Sequence, residues 1–320
     1  MFGPTRRDIV ISAAGAAAFG LSGPLRFLPS ALADEARDKG HFTYQIGEIE
    51  CTAFYDGMWQ KAHDDGFIRN ATVEQTKEAL AAGGLATDYV PIEFTQTVLR
   101  TGGRTVLIDA GTGGQLAPTA GLMMSNMEAA GFDPASIDTV LISHFHPDHI
   151  FGLMAKDTNE QIFPQAEIIV PEVEYEFWTD PGVLSKLPEN RQGLAKRIQA
   201  TFPNWSNVTQ VAGEKDVAPG IRSLPAFGHT VGHTAFHVSS GDTELLMVAD
   251  SAIVPALFVA HPDWQVAFDA DPALAEKNRR TLFDRTIADQ AHISGYHFGF
   301  PNVGTMAKDG NGYVFEPLGA

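Results

Sequence analysis

The chain has 320 residues, of which 44% are hydrophobic, and this is enough to bury a large core in one or two domains. Its formal charge of −17 argues against a nucleic acid or an anionic membrane surface as a partner, because like charges repel. Beyond the N-terminal segment, no stretch approaches the roughly 18 consecutive apolar residues of a membrane span.

The first 33 residues are predicted to be an export signal. Arg6 and Arg7 precede an apolar run rich in Ala and Gly at 9–21, and the small residues at 31–33 suit cleavage. This pattern resembles a twin-arginine signal. We therefore expect a mature domain at 34–320 that is periplasmic or secreted and has no membrane contact once processed. An uncleaved N-terminal anchor is the alternative.

Strand-like and helix-like patterns alternate along the rest of the chain. Strands are predicted at Phe42–Ile46 and Ile49–Tyr55, and residues 56–72 are predicted to be irregular. Cys51, the only cysteine, lies in the second strand and is predicted to be a small buried residue, so no intrachain disulfide is expected. Thr72 is predicted to cap a helix that ends near Ala82.

The later elements follow the same alternation, which indicates an α/β fold. In chain order they are a hairpin of Ile92–Arg100 and Arg104–Asp109, a helix at Leu122–Ala130, strands at Thr139–Ser143 and Glu167–Val170, helices at Glu172–Trp178 and Glu189–Thr201, strands at Val208–Val211 and Ile221–Leu224, a hairpin of Ala235–Val238 and Glu244–Val248, a helix at Pro272–Ala288 with Asp271 as its cap, and a strand at Gly312–Phe315.

The stretch from His144 to His149 is the most informative one. It reads His-Phe-His-Pro-Asp-His, so three imidazoles and one carboxylate fall within six residues directly after a buried strand. Packing alone does not explain so many imidazoles in one place, because their desolvation is unfavourable. A strand end that delivers several such side chains into a loop indicates a metal site.

The H-x-H-x-D-H spacing resembles the signature of the metallo-β-lactamase superfamily. The other motifs of that family occur in the expected order, and they are Asp109 at the end of an early strand, a G-H-T-x-G-H turn at 228–233, Asp250 at the end of a later strand, and His297 within 295–301. The resemblance extends over about residues 42–317 and implies an α/β fold of the four-layer αβ/βα sandwich type.

The resemblance also implies a site with two divalent cations. The predicted ligands are His144, His146 and His233 for the first cation, Asp148, His149 and His297 for the second, and Asp250 as a bridge between both. A hydroxide that bridges the two cations would attack the substrate, and Asp148, the predicted catalytic residue, would orient it. Ligands with only nitrogen and oxygen donors suit zinc, with manganese, iron or cobalt as alternatives.

Other polar residues of these motifs are predicted not to bind the metal. Asp109 orients the loop that carries the histidines, and His229 is a structural residue of the G-H-T-x-G-H turn. The histidines without motif context are predicted to be surface or packing residues, and they are His41, His63, His237, His261 and His292.

Within the superfamily, Asp250 argues against the true β-lactamase branches, which lack this bridging carboxylate. The chain resembles most the methyl parathion hydrolase branch and its lactonase-like relatives, on the residues at 249–253, 299–301 and 310–315 and on Phe177-Trp178. This implies hydrolysis of an ester, a lactone or an aryl phosphotriester of small size, and it suggests a homodimer. Trp178 is a candidate to line an aromatic pocket, and packing of its helix onto the core is the equal alternative; weaker pocket candidates are Phe67, Phe258 and Phe268.

Four alternatives stay open. One is a quorum-quenching homoserine lactonase, although Ile253 stands where the classical lactonases have a tyrosine, three residues past Asp250. The second is a β-lactamase-type amide hydrolase, and the third is a metal-binding module without catalysis. The last is a redox enzyme with a flavin partner, as some members of this family are.

Overall fold

The computed structural model describes residues 31–318. The predicted export signal falls on residues 1–33, of which residues 1–30 lie outside this part of the chain, and it therefore stays a prediction.

The N-terminal half of the described chain forms one sheet. Its strands are β1 (His41–Ile46), β2 (Ile49–Lys61), β3 (Val90–Thr101), β4 (Arg104–Ile108), β5 (Thr139–Leu141), β6 (Glu167–Pro171) and β7 (Val208–Val211). They lie in sequence order across the sheet. Neighbouring strands are antiparallel from β1 to β4 and parallel from β4 to β7.

The C-terminal half forms a second sheet. Its strands are β8 (Asp216–Ala218), β9 (Ile221–Pro225), β10 (Thr234–Ser240), β11 (Thr243–Met247), β12 (His292–Ser294), β13 (Val303–Asp309) and β14 (Gly312–Pro317), and they also lie in sequence order. Only β11 and β12 are parallel neighbours among these described strands.

Helices connect the strands and cover the sheets. They are α1 (Ala31–Lys39), α2 (Val73–Ala82), α3 (Met123–Ala129), α4 (Pro147–Ile150), α5 (Glu172–Thr179), α6 (Glu189–Thr201), α7 (Pro255–Phe258) and α8 (Pro272–Ala288). Within residues 31–318, none of these helices combines the length and the apolar character needed to cross a bilayer.

Three clusters of buried apolar side chains fix the order of the layers. One lies between the sheets and joins Leu99 and Val106 of the first to Val238 and Leu245 of the second. Another joins the first sheet to α3, α5 and α6, and the third joins the second sheet to α2, α7 and α8. The order is therefore helix, sheet, sheet, helix, which confirms the predicted four-layer αβ/βα sandwich.

Local signals in the sequence specify several element ends. The hydroxyl of Thr72 accepts a hydrogen bond from the backbone N–H of Gln75 at 3.2 Å, and Gln75 Oε1 accepts the N–H of Thr72 at 2.8 Å, which is the predicted capping box of α2. Asp271 caps α8 by accepting the N–H of Leu274 at 3.1 Å. Cys51 is buried in β2, as predicted.

The prediction that residues 56–72 are irregular is wrong in its first part. Strand β2 continues to Lys61, paired with β3 as far as Val90, and it passes through a bulge between Tyr55 and Gly57. Gly57 has a φ of 104°, which glycine adopts without steric strain. The Asp56-Gly57 pair, a turn signal by composition, therefore forms a bulge within a long strand.

The sequence pattern does not predict β8, β12 or β13. Strands β8 and β12 have three residues each, too few for an alternation to be visible. Strand β13 carries exposed polar residues toward its end, which hide its apolar alternation.

The strand ends bring the candidate ligands to one place. Asp109 follows β4, the stretch 144–149 follows β5, Asp250 follows β11, and His297 follows β12. Strands β4 and β5 are parallel, as are β11 and β12, so within each sheet these ends lie at the same edge. Segments distant in the sequence therefore contribute to one site between the two sheets.

Candidate metal centre

Asp109 organises the stretch that carries three of the histidines. Its Oδ1 accepts the N–H of Ser143 at 2.8 Å, and its Oδ2 accepts the hydroxyl of Ser143 and Nδ1–H of His149, both at 2.8 Å. Asp109 has a φ of 56°, a conformation that non-glycine residues rarely adopt. The structure thus places Asp109 behind His149, as predicted, with the other ring nitrogen of His149 directed inward.

The first group of inward-facing donors is formed by three imidazoles and a carboxylate. His146 Nδ1 lies 3.0 Å from His144 Nε2 and 2.9 Å from His229 Nε2. Asp250 Oδ2 lies 3.4 Å from His229 Nε2 and 4.0 Å from His144 Nε2. The four residues each offer one atom within 4.8 Å of all the others, so they can hold one cation together.

The sequence assigns His233, and not His229, to this group, whereas the structure brings His229 together with His144, His146 and Asp250. His233 Nδ1–H donates to the carbonyl of Ala226 at 3.0 Å, and its Nε2 accepts the backbone N–H of Asp250 at 3.1 Å. Both ring nitrogens of His233 are therefore engaged with the backbone. The two histidines lie four residues apart in one turn, and the sequence offers no spacing rule that separates their roles.

The second group shares Asp250 with the first. His297 Nε2 lies 3.3 Å from Asp148 Oδ2 and 3.2 Å from Asp250 Oδ2. His149 Nε2 lies 3.5 Å from Asp148 Oδ2 and 3.2 Å from Asp250 Oδ1. These four residues also offer donor atoms within 4.8 Å of one another. The two groups together contain six of the seven predicted ligands, with His229 in the place of His233.

The nitrogen atoms that face away from the centre are held by the protein. His229 Nδ1–H donates to Asp269 Oδ1 at 2.9 Å, and His297 Nδ1–H donates to the carbonyl of Glu93 at 2.6 Å. The hydroxyl of Ser143, which donates to Asp109, lies 3.0 Å from His144 Nδ1. Such contacts fix the tautomer and leave the lone pair of Nε2 free to bind a metal.

Two buried polar atoms without a hydrogen-bond partner indicate whether a cation fits at the middle of the site. His149 Nε2 and Asp250 Oδ1 are buried and have no hydrogen-bond partner among the described residues. Buried polar atoms are rarely left unpaired, because their desolvation is unfavourable. A divalent cation with nitrogen and oxygen ligands would satisfy both, so the donor set fits a metal.

The pKa values divide the histidines into two kinds. Burial, reinforced by neighbouring imidazoles, holds the pKa of His144 and His146 well below the ordinary value. Burial acts in the same direction on His149 and His297, but the carboxylates, Asp250 first, outweigh it. They raise the pKa of His149 well above its usual range and that of His297 to about 9. A cation must therefore displace protons from the second group.

Sequence reasoning missed two buried acids behind the site. Asp269, which holds His229, lies 3.4 Å from the Arg279 guanidinium through its other oxygen. Arg279 is itself buried and donates to the carbonyls of Ser251, Pro262 and Trp264. Glu174 is the other acid. Asp269 and Glu174 follow no motif, and an acidic residue in a loop or a first helical turn is usually exposed, so the sequence carries no signal for either.

Of the two roles left open for Trp178, the structure shows packing in the core and not the lining of a pocket. Its side chain is 2% exposed and packs into the cluster beneath the first sheet, and Nε1–H donates to Glu174 at 2.8 Å. Phe67 and Phe258 are buried as well. Phe268 is half-buried and stacks on Trp59, whose side chain is 39% exposed. Phe268 directly precedes Asp269, the residue that holds His229.

The five histidines without motif context lie outside both groups, as predicted, and they are His41, His63, His237, His261 and His292. His237 bonds to Glu244 at 2.9 Å, His63 to the carbonyl of Thr87 at 3.0 Å, and His261 stacks on Trp264.

Comparison with known proteins identifies the family. Residues 95–289 match the metallo-beta-lactamase superfamily, and this is more than half of the 320 residues. The chain therefore belongs to that superfamily, which confirms the resemblance read from its motifs.

Individual relatives within the superfamily include lactonases. N-acyl homoserine lactonase AttM of Rhizobium johnstonii (strain DSM 114642 / LMG 32736 / 3841) is 28% identical over 174 residues, which is 52% of this chain and 61% of that protein. AidC, described as a dizinc quorum-quenching lactonase, superposes with a TM-score of 0.78 at 25% identity, over 87% of this chain and 97% of its own.

A third protein, AbOPH, described as a hydrolase of the beta-lactamase superfamily, gives a TM-score of 0.80 at 25% identity, over the same shares, 87% and 97%, of the two chains. These likenesses support the predicted class, a metal-dependent hydrolase of this superfamily.

Proposed function

We propose that the protein holds two divalent cations, zinc in its native state, and hydrolyses the ester bond of a small lactone or aryl ester. One observation carries this proposal. Asp250 lies between the two groups of imidazoles, with Oδ1 directed at His149 Nε2 at 3.2 Å and Oδ2 at His297 Nε2 at 3.2 Å and at His229 Nε2 at 3.4 Å. A carboxylate in this position can serve two cations at once.

The proposed ligand sets follow the two groups. They are His144, His146 and His229 for the first cation, Asp148, His149 and His297 for the second, and Asp250 for both. When bound, a pair of divalent cations polarises the scissile carbonyl and lowers the pKa of water at the site, so that hydrolysis proceeds near neutral pH.

Asp148 is proposed to orient the attacking water. Its side chain is 17% exposed, whereas those of His149 and Asp250 are almost fully buried, so Asp148 is the carboxylate that reaches the solvent side. Burial raises its pKa, but the imidazoles of His149 and His297 outweigh burial and hold that pKa well below the ordinary value. Asp148 therefore stays ionised and accepts a hydrogen bond from water across the neutral pH range.

The aromatic pair of Trp59 and Phe268 supports an apolar substituent on the substrate. Trp59 and Phe268 stack with ring centroids 6.5 Å apart, and Phe67 meets Phe268 edge to face at 5.8 Å. The exposed face of Trp59 offers a surface on which an aryl or acyl group can rest. The lactonases among the relatives agree with a cyclic ester as the reacting group.

N-acyl homoserine lactones are the second candidate within the same reaction. The descriptions of AttM and AidC favour them. The buried Ile253 favours a lactone other than an N-acyl homoserine lactone. It lies three residues past Asp250, where classical homoserine lactonases have a tyrosine. A chain with Ile253 lacks that hydroxyl as a hydrogen-bond donor to the substrate.

A hydrolysis panel tests the proposal. The metal-loaded chain is assayed with aryl lactones, aryl esters, N-acyl homoserine lactones, an aryl phosphotriester and a β-lactam, beside Asp250→Asn as the control for contaminating activity. We expect the highest kcat/KM on an aryl lactone or ester, and loss of at least about 100-fold in Asp250→Asn. A preference for the β-lactam, or full activity in Asp250→Asn, would contradict the proposal.

A further inference from the structure

Glu174 is a fully buried acid on α5 that serves the metal centre without facing it. Its Oε1 accepts the backbone N–H of Phe145 at 3.0 Å and Nε1–H of Trp178 at 2.8 Å. Its Oε2 accepts the hydroxyl of Thr230 at 2.8 Å and the backbone N–H of Gly232 at 2.9 Å. Within residues 35–318 no cation pairs with this carboxylate, so these four donors compensate for its burial.

Three of the four donors belong to the segments that carry the first group of ligands. Phe145 lies between His144 and His146. Thr230 and Gly232 follow His229 in the G-H-T-x-G-H turn. One carboxylate therefore joins a loop of the first sheet to a turn of the second, and it does so directly behind the three imidazoles of the first group.

The close packing of Gly232 against Glu174 leaves little room for a different side chain or backbone path at either position. A Cβ added to Gly232 would come within 2.4 Å of the backbone nitrogen of Glu174. The two backbone N–H groups and the indole can only donate hydrogen bonds. The side chain at position 174 that accepts from all three must therefore be a carboxylate. A glutamine would turn an NH₂ group toward at least one of these donors, although the two side chains have nearly the same shape.

We propose that Glu174 is a positioning residue that sets the spacing of His144, His146 and His229, and so determines the affinity of the first cation. This inference rests on the ligand sets of the proposed function. The inference predicts different effects on the two cations, because none of the hydrogen bonds of Glu174 goes to Asp148, His149 or His297, the ligands specific to the second cation. A residue that only stabilises the fold would affect both cations alike.

The test compares Glu174→Gln with Trp178→Phe in the full chain. Zn²⁺ affinities of both sites are measured by competition with a chromophoric chelator, and Co²⁺ absorption spectra report the ligand geometry. Glu174→Gln should bind the first cation about 10–100-fold more weakly and the second within about threefold of wild type. Trp178→Phe loses one donor but keeps those that join the two segments, so both affinities should stay at wild-type values.

Thr230→Val is a second, milder variant that removes only the hydroxyl bonded to Oε2. It decides the question if Glu174→Gln does not fold, and we expect a smaller loss confined to the first cation. Wild-type affinities in folded variants, or loss of both cations in proportion to a lower Tm, would overturn the inference alone. A wild-type chain that binds no cation would overturn the proposed function with it.

Discussion

Asp250 Oδ1 lies 3.2 Å from His149 Nε2, and both atoms are buried without a hydrogen bond in the described part of the chain. Asp109 holds the opposite nitrogen of the same ring at 2.8 Å, so the ring cannot turn to find another partner. The backbone N–H of Asp250 is bonded to His233. Both side chains are therefore fixed in an arrangement that only a cation or a proton between them can satisfy.

The two histidines of the G-H-T-x-G-H turn provide a matched pair of variants. His229→Ala removes an inward-facing nitrogen of the first group, whereas His233→Gln keeps a side-chain amide near Ala226 and Asp250. Metal analysis should give about two cations per chain for His233→Gln and about one for His229→Ala, with activity lowered at least about 100-fold only in His229→Ala. Loss of a cation in His233→Gln alone would restore the assignment predicted from the sequence.

Arg279 and Arg280 are neighbours in α8 with very different surroundings. Arg279 is buried against Asp269 and three backbone carbonyls, whereas Arg280 forms a partly exposed pair with Glu276. Arg279→Met should lower the free energy of unfolding by about 3–5 kcal/mol, because it leaves Asp269 buried without its cation. Arg280→Met should lower it by less than about 1 kcal/mol. Denaturant unfolding measures both, and equal effects would contradict this account.

We propose that Arg6 and Arg7 direct export of the protein. Replacing both by Lys keeps the charge but removes the paired arginines of the signal. The variant should accumulate in the cytoplasm, whereas the wild-type chain should appear in the periplasm or the medium. Cell fractionation with an immunoblot decides, and equal distribution of both chains would contradict a twin-arginine signal.

The sequence predicts the parts of the site that depend on local spacing. The stretch 144–149 lies within one strand end and one helical turn, so its four candidate ligands could be recognised from their spacing. His229 and His233 could not be told apart, because their roles depend on which ring nitrogen meets the backbone of Ala226 and Asp250. That contact joins three separate segments and exists only after folding.

The same limit applies to the acids behind the ligands. Asp109 was recognisable because it matches a family motif at the end of a strand, whereas Glu174 and Asp269 become buried only when α5 and the loop before α8 pack against the site. Trp178 is a residue whose role the sequence left open between a pocket and the core. A tryptophan close to a metal motif suggests a pocket, but its position on the inner face of α5 directs it into the core. Packing between segments distant in the sequence determines both the burial of these two acids and the location of Trp178.

Trp59 should matter for substrates with an apolar substituent. Trp59→Ala removes the exposed face of the pair with Phe268, and we expect KM for an aryl lactone to rise about fivefold, which corresponds to about 1 kcal/mol. KM for an unsubstituted small lactone should change little. Val173→Ala, at a position that is 41% exposed on α5, is the control for a surface apolar side chain. A KM for the aryl lactone that is unchanged from wild type in Trp59→Ala would exclude a substrate contact.

The two cations should differ in their dependence on pH. The carboxylates raise the pKa of His297 to about 9 in the metal-free chain, so this ring is protonated at pH 7 and must lose its proton when a cation binds. The pKa of His149 is also raised, whereas those of His144 and His146 lie well below 6.5, so the latter two are already neutral.

Binding of the second cation should therefore release one to two protons at pH 7. Its affinity should fall about tenfold per proton for each unit by which the pH is lowered from 9 to 6.5. The affinity for the first cation should change little over the same range. Titration calorimetry in buffers of different ionisation enthalpy counts the protons. For the metal-free fold the pH dependence runs the opposite way: the stabilisation from protonated His297 is complete below pH 6.5 and is lost as the pH rises through about 9. If both cations bound independently of pH in this range, the carboxylates would not hold protons on the second group.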